Sequence, residues 1–361
     1  MITGARAPVA LELSRSMAAD GHRIIMADCL KFTVARWSNS VYKYYTLPSP
    51  ALAPQDFVLA LQRIIEKEQV DHLVPICEEA FYISKYKDKF NCKVWTASLE
   101  LMDRLHNKAT FIEMARPFFA VPHTIEASIF DDWSDTSKYV FKKKYSRFGT
   151  SVILNGDKVR CMAVKQHPQD WIVQERIQGK EVCVYSVWDE GKMKAFACYH
   201  PLYRYGIGAG IFFEPQHVEG LQQCVMNLGI SCGYHGQLSF DVIVRDNIPY
   251  VIECNPRGTS GAHLLSRYLG SAFIKDGLQL PASEQAYCIG YAMLLKHPLS
   301  YFNKRVRRAR DVIFSVTDPA PFLLQVLSVL EITYIALVKR IPWLLATTRD
   351  IEWDGDNVDN E

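Results

Sequence analysis

The stretch "YVIECNPRGTSG", residues 250–261, combines a strand pattern with side chains that bind metals and phosphates. Because side chains alternate along a strand, Glu253 and Asn255 share one face with Val251, and the apolar residues between them are predicted to face the core. Arg257 follows where the strand breaks at a proline and two glycines. Carboxylate and amide oxygens suit magnesium, which binds through one or two carboxylates plus substrate phosphates.

The preceding strand, "SFDVIVR", places Asp241 between apolar residues, and the short link "RDNIP" predicts a hairpin. A two-residue turn at 246–247 would pair Asp241 with Ile252, on the wrong face. An odd-length loop, favoured by Pro249 because it lacks an amide donor, pairs Asp241 with Glu253. We predict the odd loop, since an unpaired carboxylate in an apolar strand is costly, and a magnesium site where the oxygen-bearing side chains converge.

Two upstream segments carry residue types that suit a nucleotide. In "YVFKKKYSRFGTSV", Lys142 lies near a strand end, where a lysine meets phosphate as a point charge. The Gly- and Ser-containing turn after it offers backbone amides to the same phosphates; the alternative is a solvated lysine cluster. In "WIVQERIQGKE", the backbone from Glu175 to Ile177 is placed to read an adenine edge, and Glu181 to accept from ribose hydroxyls.

The order of predicted elements divides the chain into four units. Residues 1–97 alternate strands and helices, which predicts a Rossmann-like parallel sheet. The turn "TGARAP" lacks the G-x-G-x-x-G dinucleotide fingerprint. Residues 98–170 and 171–275 are rich in strand signals with a few helices, typical of antiparallel α+β lobes, and residues 276–361 form a helical C-terminal extension with an acidic tail whose end is expected to be mobile.

The chemical residues occur in an ordered set that resembles the ATP-grasp superfamily. The set comprises "NK", "VFKKKYSRFGTSV", "VQERIQGKE", "FDVIV" and "ECNPR", within residues 1–270. The resemblance implies an α/β and α+β fold in which a pre-ATP-grasp domain precedes two ATP-grasp lobes. It also implies site roles: Lys108 and Lys142 on ATP phosphates, Glu175 and Ile177 on adenine, Glu181 on ribose, Asp241, Glu253 and Asn255 on magnesium, and Arg257 on the transferring phosphoryl group.

Two positions depart from the pattern usual in this superfamily. Lys142-Lys143 stands where Lys-Pro is common, so Lys144 remains an alternative phosphate contact. The first metal ligand is often glutamate, whereas this chain has Asp241, which is expected to weaken metal binding without abolishing it.

The implied chemistry is activation of a small-molecule carboxylate as an acyl phosphate, followed by attack of an amine or other nucleophile, with ATP and Mg²⁺ as cofactors. His200, Tyr203 and Arg204 lie beside a glycine-rich loop and either bind the substrate carboxylate or form a surface hairpin. Ser260, near the expected start of a helix at Ala262, is a further candidate because helix N-termini favour anions.

Composition limits the partners that we expect. The formal net charge of +2 over 361 residues gives no support to nucleic-acid binding. The basic run at 304–310 is predicted to be a solvated helix face. The ten cysteines are scattered without C-x-x-C pairs, and no signal peptide is recognisable, which fits a cytoplasmic enzyme. The apolar stretch 321–338 is interrupted by Gln325 and Glu331, so we expect a buried or partner-facing helix, with a homodimer as one option and no membrane partner.

Three other functions remain open from the sequence. The first is a non-catalytic ATP-binding or regulatory protein on the same fold, because fold alone does not establish activity. The second is a Rossmann-type oxidoreductase using residues 1–95, which would bind NAD(P). The third is a membrane-attached helper protein built on the apolar C-terminal helix. ATP turnover, nicotinamide binding and fractionation without detergent distinguish them.

Overall fold

The computed structural model describes residues 1–133, 135–146, 152–154, 161, 164–206 and 208–355. It shows an N-terminal α/β unit, a small antiparallel lobe, a larger lobe built on one long sheet, and a C-terminal segment. The fold class predicted from the sequence is confirmed. The predicted boundaries between the units stay predictions.

The N-terminal unit is a parallel sheet with helices on its faces. Strands β1 to β3 pair in parallel in the order β1-β2-β3, and a parallel bridge from Ile2 to Val74 joins β1 to the β4-β5 pair. Pro8 and Pro54 open the first two helices at a position where the missing amide is tolerated. The elements are β1 (Ile2–Thr3), α1 (Pro8–Ala19), β2 (Ile24–Asp28), β3 (Val41–Thr46), α2 (Pro54–Glu68), β4 (His72–Leu73), α3 (Glu79–Lys85) and β5 (Lys93–Val94).

The small lobe carries a four-stranded antiparallel sheet in the order β6-β9-β7-β8. Two helices precede it. The chain breaks at Asn107, which leaves the helical conformation and caps the second helix by accepting from the Ala109 amide. The elements are α4 (Leu99–His106), α5 (Lys108–Ala115), β6 (Thr124–Glu126), β7 (Tyr139–Lys143), β8 (Val152–Ile153) and β9 (Trp171–Glu175).

The larger lobe is a seven-stranded sheet in the order β16-β15-β10-β11-β14-β17-β18. Its central strands are ten residues long, and one apolar core joins the face of this sheet to α4, α5 and the N-terminal unit. Elements up to the end of β16 are β10 (Lys180–Asp189), β11 (Lys192–Pro201), β12 (Arg204–Tyr205), β13 (Ala209–Gly210), β14 (Phe212–Pro215), α6 (Leu221–Ser231), β15 (Gly236–Arg245) and β16 (Ile248–Asn255).

The β15–β16 hairpin reaches the predicted pairing by a different route. Its loop is the two-residue turn at Asp246 and Asn247, with φ of +52° and +63°, so the expected odd loop is wrong. Arg245 pairs with Ile248, but the register shifts next to Asp241, and Asp241 pairs with Glu253. A bulge inserts one extra residue into β16, which corrects the register that the even turn alone would give.

The same bulge changes which side chains face the core. Val251 is fully buried and Cys254 is 1% exposed, and both belong to the main apolar core. Glu253 and Asn255 lie on the other side of the strand. The prediction that Val251 shares a face with Glu253 is therefore wrong, because the inserted residue interrupts the alternation between them.

The C-terminal segment returns to both earlier units. Two of its strands, β17 and β18, extend the sheet of the large lobe, so this segment is not purely helical. Trp353 is fully buried and stacks on Phe81 at 5.8 Å between ring centroids, which packs the first part of the acidic tail against the N-terminal unit. The end of the tail, which was expected to be mobile, lies outside the described residues. The elements are α7 (Ser271–Ile274), β17 (Tyr287–Cys288), α8 (Gly290–Lys296), α9 (Lys304–Arg308), β18 (Arg310–Asp311), α10 (Ala320–Lys339) and α11 (Trp343–Ala346).

Helix α10 lies at the surface rather than in the core. Pro321 is its one buried residue. Within the described residues it is the one helix long and apolar enough to cross a membrane, by length and composition alone. The expectation of a buried helix is wrong, and the partner-facing alternative stays a prediction.

Candidate functional site

Two carboxylates face each other across the β15–β16 hairpin. Asp241 and Glu253 are directly paired. Burial, and then the charges of Glu253 and Glu181, raise the pKa of Asp241 to about 6. A bound cation would relieve the repulsion between like charges held this close. The donor set of Asp241, Glu253 and the Asn255 amide oxygen fits magnesium, a hard ion that prefers oxygen ligands.

Lys108 reaches this pair from helix α5. It is the first residue of the helix, it is 1% exposed, and its Nζ lies 3.4 Å from Glu253 Oε1. The Asn107 cap fixes the start of α5 and therefore the direction of the lysine. A cation this deeply buried beside a carboxylate is suited to bind an anionic group such as a phosphate.

Lys142 enters the same site from strand β7. It is 5% exposed, and its Nζ donates to Gln174 Oε1 at 2.8 Å. Burial lowers the pKa of Lys142 to about 8, opposed by the charge of Glu253 and assisted by that of Lys108. Gln174, which the sequence reasoning missed, is recognisable only from the β7–β9 pairing.

Lys144, the alternative phosphate contact, lies differently. It follows the last residue of β7 and pairs with Glu126 at 2.7 Å near the surface. This geometry favours Lys142 over Lys144, although the assignment to phosphate remains a prediction. The glycine-containing turn proposed to cover the phosphates falls at 147–151, outside the described residues.

The adenine-reading segment follows strand β9. The Glu175 amide donates to the His123 carbonyl at 2.7 Å and the Arg176 amide to the Lys138 carbonyl at 2.8 Å, so these two donors are occupied. Ile177 is buried, and among the described residues its amide has no backbone acceptor. The amide of Ile177 is therefore the donor of this segment best placed to contact a base.

Glu181, His200 and Arg204 come together, although the sequence assigned them to different ligands. Arg204 forms an ion pair with Glu181, and His200 Nδ1 lies 2.7 Å from the Glu181 carbonyl. Arg204 also donates to the Gly208 carbonyl at 3.0 Å. The arginine is thus held beside the predicted ribose position, which links the proposed substrate and ribose residues in one polar group.

Arg257 lies past the end of β16, between the larger lobe and the N-terminal unit. It donates to Asn255 Oδ1 at 3.2 Å, and its Nε is 3.7 Å from Glu78 Oε1. The next residue, Gly258, donates to the Ile76 carbonyl at 3.0 Å, and a Cβ there would be 3.0 Å from that same oxygen. Close backbone contact therefore fixes the loop that carries the guanidinium.

Glu78 is a site residue that sequence reasoning missed. It is 5% exposed, and its second oxygen accepts from the Trp353 amide at 3.1 Å. The available signal was its place after β4, since ligands of α/β sheets bind beyond the carboxyl ends of parallel strands. The tail that orients it is distant in sequence and gave no signal.

Ser260 opens a short 3-10 helix, Ser260–Leu264, and not the α-helix predicted from Ala262. The argument from a helix N-terminus therefore fails for Ser260, because five residues of 3-10 helix align few peptide dipoles. The nearby His263 is 1% exposed and lies 3.3 Å from Glu12, turned into the structure.

A second group of potential metal ligands, Asp28, Cys29 and Asp350, brings three ligand atoms within 4.8 Å. Arg6 forms ion pairs with both carboxylates at 2.6 Å. Burial and the adjacent carboxylates raise the pKa of the Cys29 thiol well above its ordinary range. A guanidinium already neutralises this group, which therefore ties the C-terminal tail to the N-terminal sheet.

Comparisons with known proteins agree with this architecture. Residues 105–261 match a family model described as an ATP-grasp domain. No curated protein sequence matches the chain significantly. Among solved structures, N5-carboxyaminoimidazole synthetase from Staphylococcus aureus, complexed with ADP, has a TM-score of 0.65 at 14% identity and covers 84% of this chain and 85% of its own.

Two other solved structures are similar over most of the chain. The L-amino acid ligase from Bacillus licheniformis has a TM-score of 0.56 at 13% identity, over 76% of this chain and 69% of its own. The biotin carboxylase domain dimer of Hydrogenobacter thermophilus 2-oxoglutarate carboxylase, with MgADP and bicarbonate, has a TM-score of 0.57 at 10% identity and the same coverage. At these identities the likeness shows the fold, and the match to the ATP-grasp family model covers residues 105–261 of this chain.

Proposed function

We propose that this protein is an ATP-dependent ligase that activates a small-molecule carboxylate as an acyl phosphate and transfers the acyl group to an amine or another nucleophile. One observation carries the proposal. Two buried lysines, Lys108 and Lys142, converge on the Asp241–Glu253 pair, with Arg257 just beyond the strand end. Buried cations beside paired carboxylates match the needs of a nucleotide triphosphate and its metal.

Magnesium is the metal that this donor set would hold, through Asp241, Glu253 and Asn255. When bound, it supplies positive charge that neutralises the phosphate oxygens during transfer. The raised pKa of Asp241 supports this role, because the burial and the like-charged neighbours that raise it are both compensated once a cation is bound.

The residues of the chain supply positioning and charge. Lys108 and Lys142 bind the phosphates, the Ile177 amide binds the adenine edge, and the Glu175 carbonyl accepts from the adenine amino group. Glu181 accepts from the ribose hydroxyls. Arg257, held by Asn255 and Glu78, stabilises the transferring phosphoryl group. Arg204 and His200 remain candidates for binding the substrate carboxylate. For Ser260, the argument from a helix N-terminus no longer supports such a role.

The reaction proceeds in two balanced steps. A carboxylate oxygen forms a bond to the γ-phosphorus while the bond from that phosphorus to the bridging oxygen breaks, and ADP leaves. The nucleophile then attacks the acyl carbon, the carbon–oxygen bond to phosphate breaks, and inorganic phosphate leaves, with the nucleophile's proton passing to solvent or a base. No side-chain nucleophile is required, which agrees with a site built from lysines, carboxylates and an arginine.

Thermal unfolding with nucleotides tests the binding part of the proposal. MgATP should raise the melting temperature, by an amount that grows with the logarithm of its concentration over its dissociation constant, and NADH should not. Protection by NADH and none by MgATP would exclude this function in favour of a nicotinamide-dependent oxidoreductase.

Phosphate release tests the catalytic part. The protein with MgATP is screened against small acids and amino acids, with and without an amine. Release that depends on both an acid and a nucleophile supports a ligase. Tight MgATP binding with no release under any combination would favour the non-catalytic, regulatory alternative.

A further inference from the structure

The outer face of helix α10 is apolar and exposed. Leu323, Val326, Leu330, Tyr334 and Leu337 recur every three or four residues and are between 51% and 72% exposed. Residues at this spacing share one face of a helix. A continuous apolar face of this length on a folded protein marks a site of interaction.

Side chains on the two flanks of this stripe hold α10 along the protein. Glu331 accepts from the backbone amides of Lys31 and Phe32, at 2.9 and 2.7 Å. Phe322 packs against the Tyr291 ring at 5.0 Å between centroids, near the start of the helix. Although α10 has the length and hydropathy of a membrane span, these contacts keep it parallel to the surface of its own protein, with one face outward.

Helix α8 and the turn after it extend this surface. Tyr291 of α8 packs against Phe322 at the start of α10. Lys296 Nζ lies 4.5 Å from the centre of the Tyr205 ring. The Tyr205 ring in turn contacts the Trp343 ring of α11, at 6.3 Å between centroids. We name the combined surface the C-terminal apolar face. Its members are the five α10 residues above together with Leu294, Leu295, Leu299 and Phe302, the last four being 56–85% exposed.

The segment that carries this face has more basic than acidic residues, and its carboxylates are engaged within the protein. Residues 290–345 contain three carboxylates: Asp311 accepts from the Gly290 amide, Asp318 pairs with Arg15, and Glu331 docks the helix. The basic residues of the same stretch are all exposed, and one of them, Arg305, pairs with Glu214. They are Lys296, Lys304, Arg305, Arg307, Arg308, Arg310, Lys339 and Arg340.

We propose that the C-terminal apolar face attaches the protein peripherally to an anionic lipid bilayer. Apolar side chains enter the interfacial region of the bilayer, and the surrounding lysines and arginines bind the anionic headgroups. A second copy is a poorer occupant, because a two-fold contact through this face would bring the eight basic residues of one copy against the same eight of the other, while the three carboxylates of residues 290–345 are engaged within each copy. The proposal departs from the sequence-based expectation of no membrane partner and does not rest on the proposed ligase activity.

Co-sedimentation of the full chain with lipid vesicles tests the proposal. Vesicles of phosphatidylcholine with about one third phosphatidylglycerol should retain at least about tenfold more protein than pure phosphatidylcholine vesicles. High salt should reduce the difference, because it screens the headgroup attraction. Equal retention on both kinds of vesicle, or none on either, would overturn the proposal.

Variants locate the binding surface. The double variant Leu330→Glu and Leu337→Glu should abolish retention on the anionic vesicles, and Arg307→Glu with Arg308→Glu should weaken it about tenfold or more. The matched control is Ile129→Glu, because Ile129 is 72% exposed on the small lobe and should retain binding. Melting curves establish that each variant is folded before its result is counted.

Sedimentation velocity without lipid tests the alternative, in which a second copy of the chain binds the C-terminal apolar face. The proposal expects a particle whose size is the same for the native chain and the Leu330→Glu, Leu337→Glu variant. A native dimer that this variant converts to monomers, together with no vesicle binding, would assign the face to self-association instead.

Discussion

The candidate site and the C-terminal apolar face depart from the usual distribution of residues in opposite directions. The site encloses charges: Lys108 and Lys142 are 1% and 5% exposed beside half-buried carboxylates. The face exposes apolar side chains, with Leu337 at 72% and Phe302 at 85%. Each arrangement costs free energy in the isolated protein. We infer that each region is completed by a binding partner, a nucleotide with its metal at the first and a lipid surface at the second.

The two regions are also held differently. Strand pairing and a hairpin bulge fix the carboxylates of the site on the large sheet, and the lysines are held by helix α5 and strand β7. The face depends on a few side-chain anchors, above all Glu331 and Phe322. We therefore expect substitutions at the site to change chemistry strongly, and substitutions on the face to change little except binding to a surface.

The largest effect is expected for Glu253→Gln. This change removes a charge from the metal site and should lower ATP turnover by about 100-fold or more. The melting temperature should change little, because loss of the Lys108 contact is offset by relief of repulsion with Asp241. Phosphate release and melting curves measure the two quantities.

Cys254→Ser is the matched control, one residue along and turned to the core. It should lower the free energy of unfolding by about 1–3 kcal/mol, since it buries a hydroxyl, while turnover per folded molecule is retained. Should Glu253→Gln unfold the protein while Cys254→Ser abolishes turnover, the assignment of the two faces of β16 would be reversed.

Trp353→Ala tests whether the tail belongs to the core, in contrast to the face that precedes it. Trp353 is fully buried and donates through Nε1 to Asp103 at 3.1 Å. Its loss should lower the free energy of unfolding by about 3–5 kcal/mol in urea titrations. Trp343→Ala, at a position 36% exposed, should cost less than about 1 kcal/mol; equal costs would contradict the distinction.

Lys142→Met should weaken ATP binding about tenfold while making the protein more stable. The pKa of Lys142 lies near 8, below its ordinary 10.5, and each unit corresponds to about 1.4 kcal/mol. Its folded form therefore binds fewer protons between pH 8 and 10.5, so its contribution to stability improves as pH rises through that window.

Removing this buried charge should raise the free energy of unfolding at neutral pH by about 1–2 kcal/mol. Calorimetric titration and urea unfolding measure the two effects. Lys144→Met, which breaks a surface pair with Glu126, should shift stability by less than about 1 kcal/mol. A larger loss of ATP affinity in Lys144→Met would transfer the phosphate role to that lysine.

The pKa of Asp241 predicts a pH dependence of metal binding. Because the Asp241 carboxyl must be deprotonated to bind a metal ion, the affinity of the site for Mn²⁺, used as a probe, should fall about tenfold for each pH unit below 6. The ligand-free protein should gain stability from this group over the same range, since a raised carboxyl pKa makes the folded state bind more protons as pH falls towards 3.8. Asp241→Asn should bind Mn²⁺ weakly and without this slope; an unchanged slope would assign the titration to another group.

The smallest effect is expected for Leu330→Glu on the C-terminal apolar face. Its side chain is 59% exposed, so unfolding free energy should stay within about 0.5 kcal/mol of the native chain. ATP turnover should also be unchanged, because the helix contributes no group to the site. A loss of several kcal/mol would show that this face packs against the protein itself.

Much of the site could be predicted from local sequence patterns, and the errors of prediction have physical causes. The spacing of Glu253, Asn255 and Arg257 follows from strand alternation and a proline break, both local properties. The hairpin loop was misjudged, because an even turn combined with a bulge gives the same pairing as an odd turn. Glu78 was missed, because its position depends on the N-terminal unit packing against a loop far along the chain.

By itself the sequence determined the order of elements, the ATP-grasp motif set and the strand face that carries Glu253 and Asn255, because periodicity and turn chemistry act over a few residues. Only the tertiary structure decided that Arg204 meets Glu181, that Lys142 rather than Lys144 enters the site, and that Trp353 packs inside while α10 lies outside. These outcomes depend on contacts between segments that are distant in sequence. Which surfaces meet determines the burial and the electrostatic environment of each residue, and local sequence patterns carry no information about those contacts.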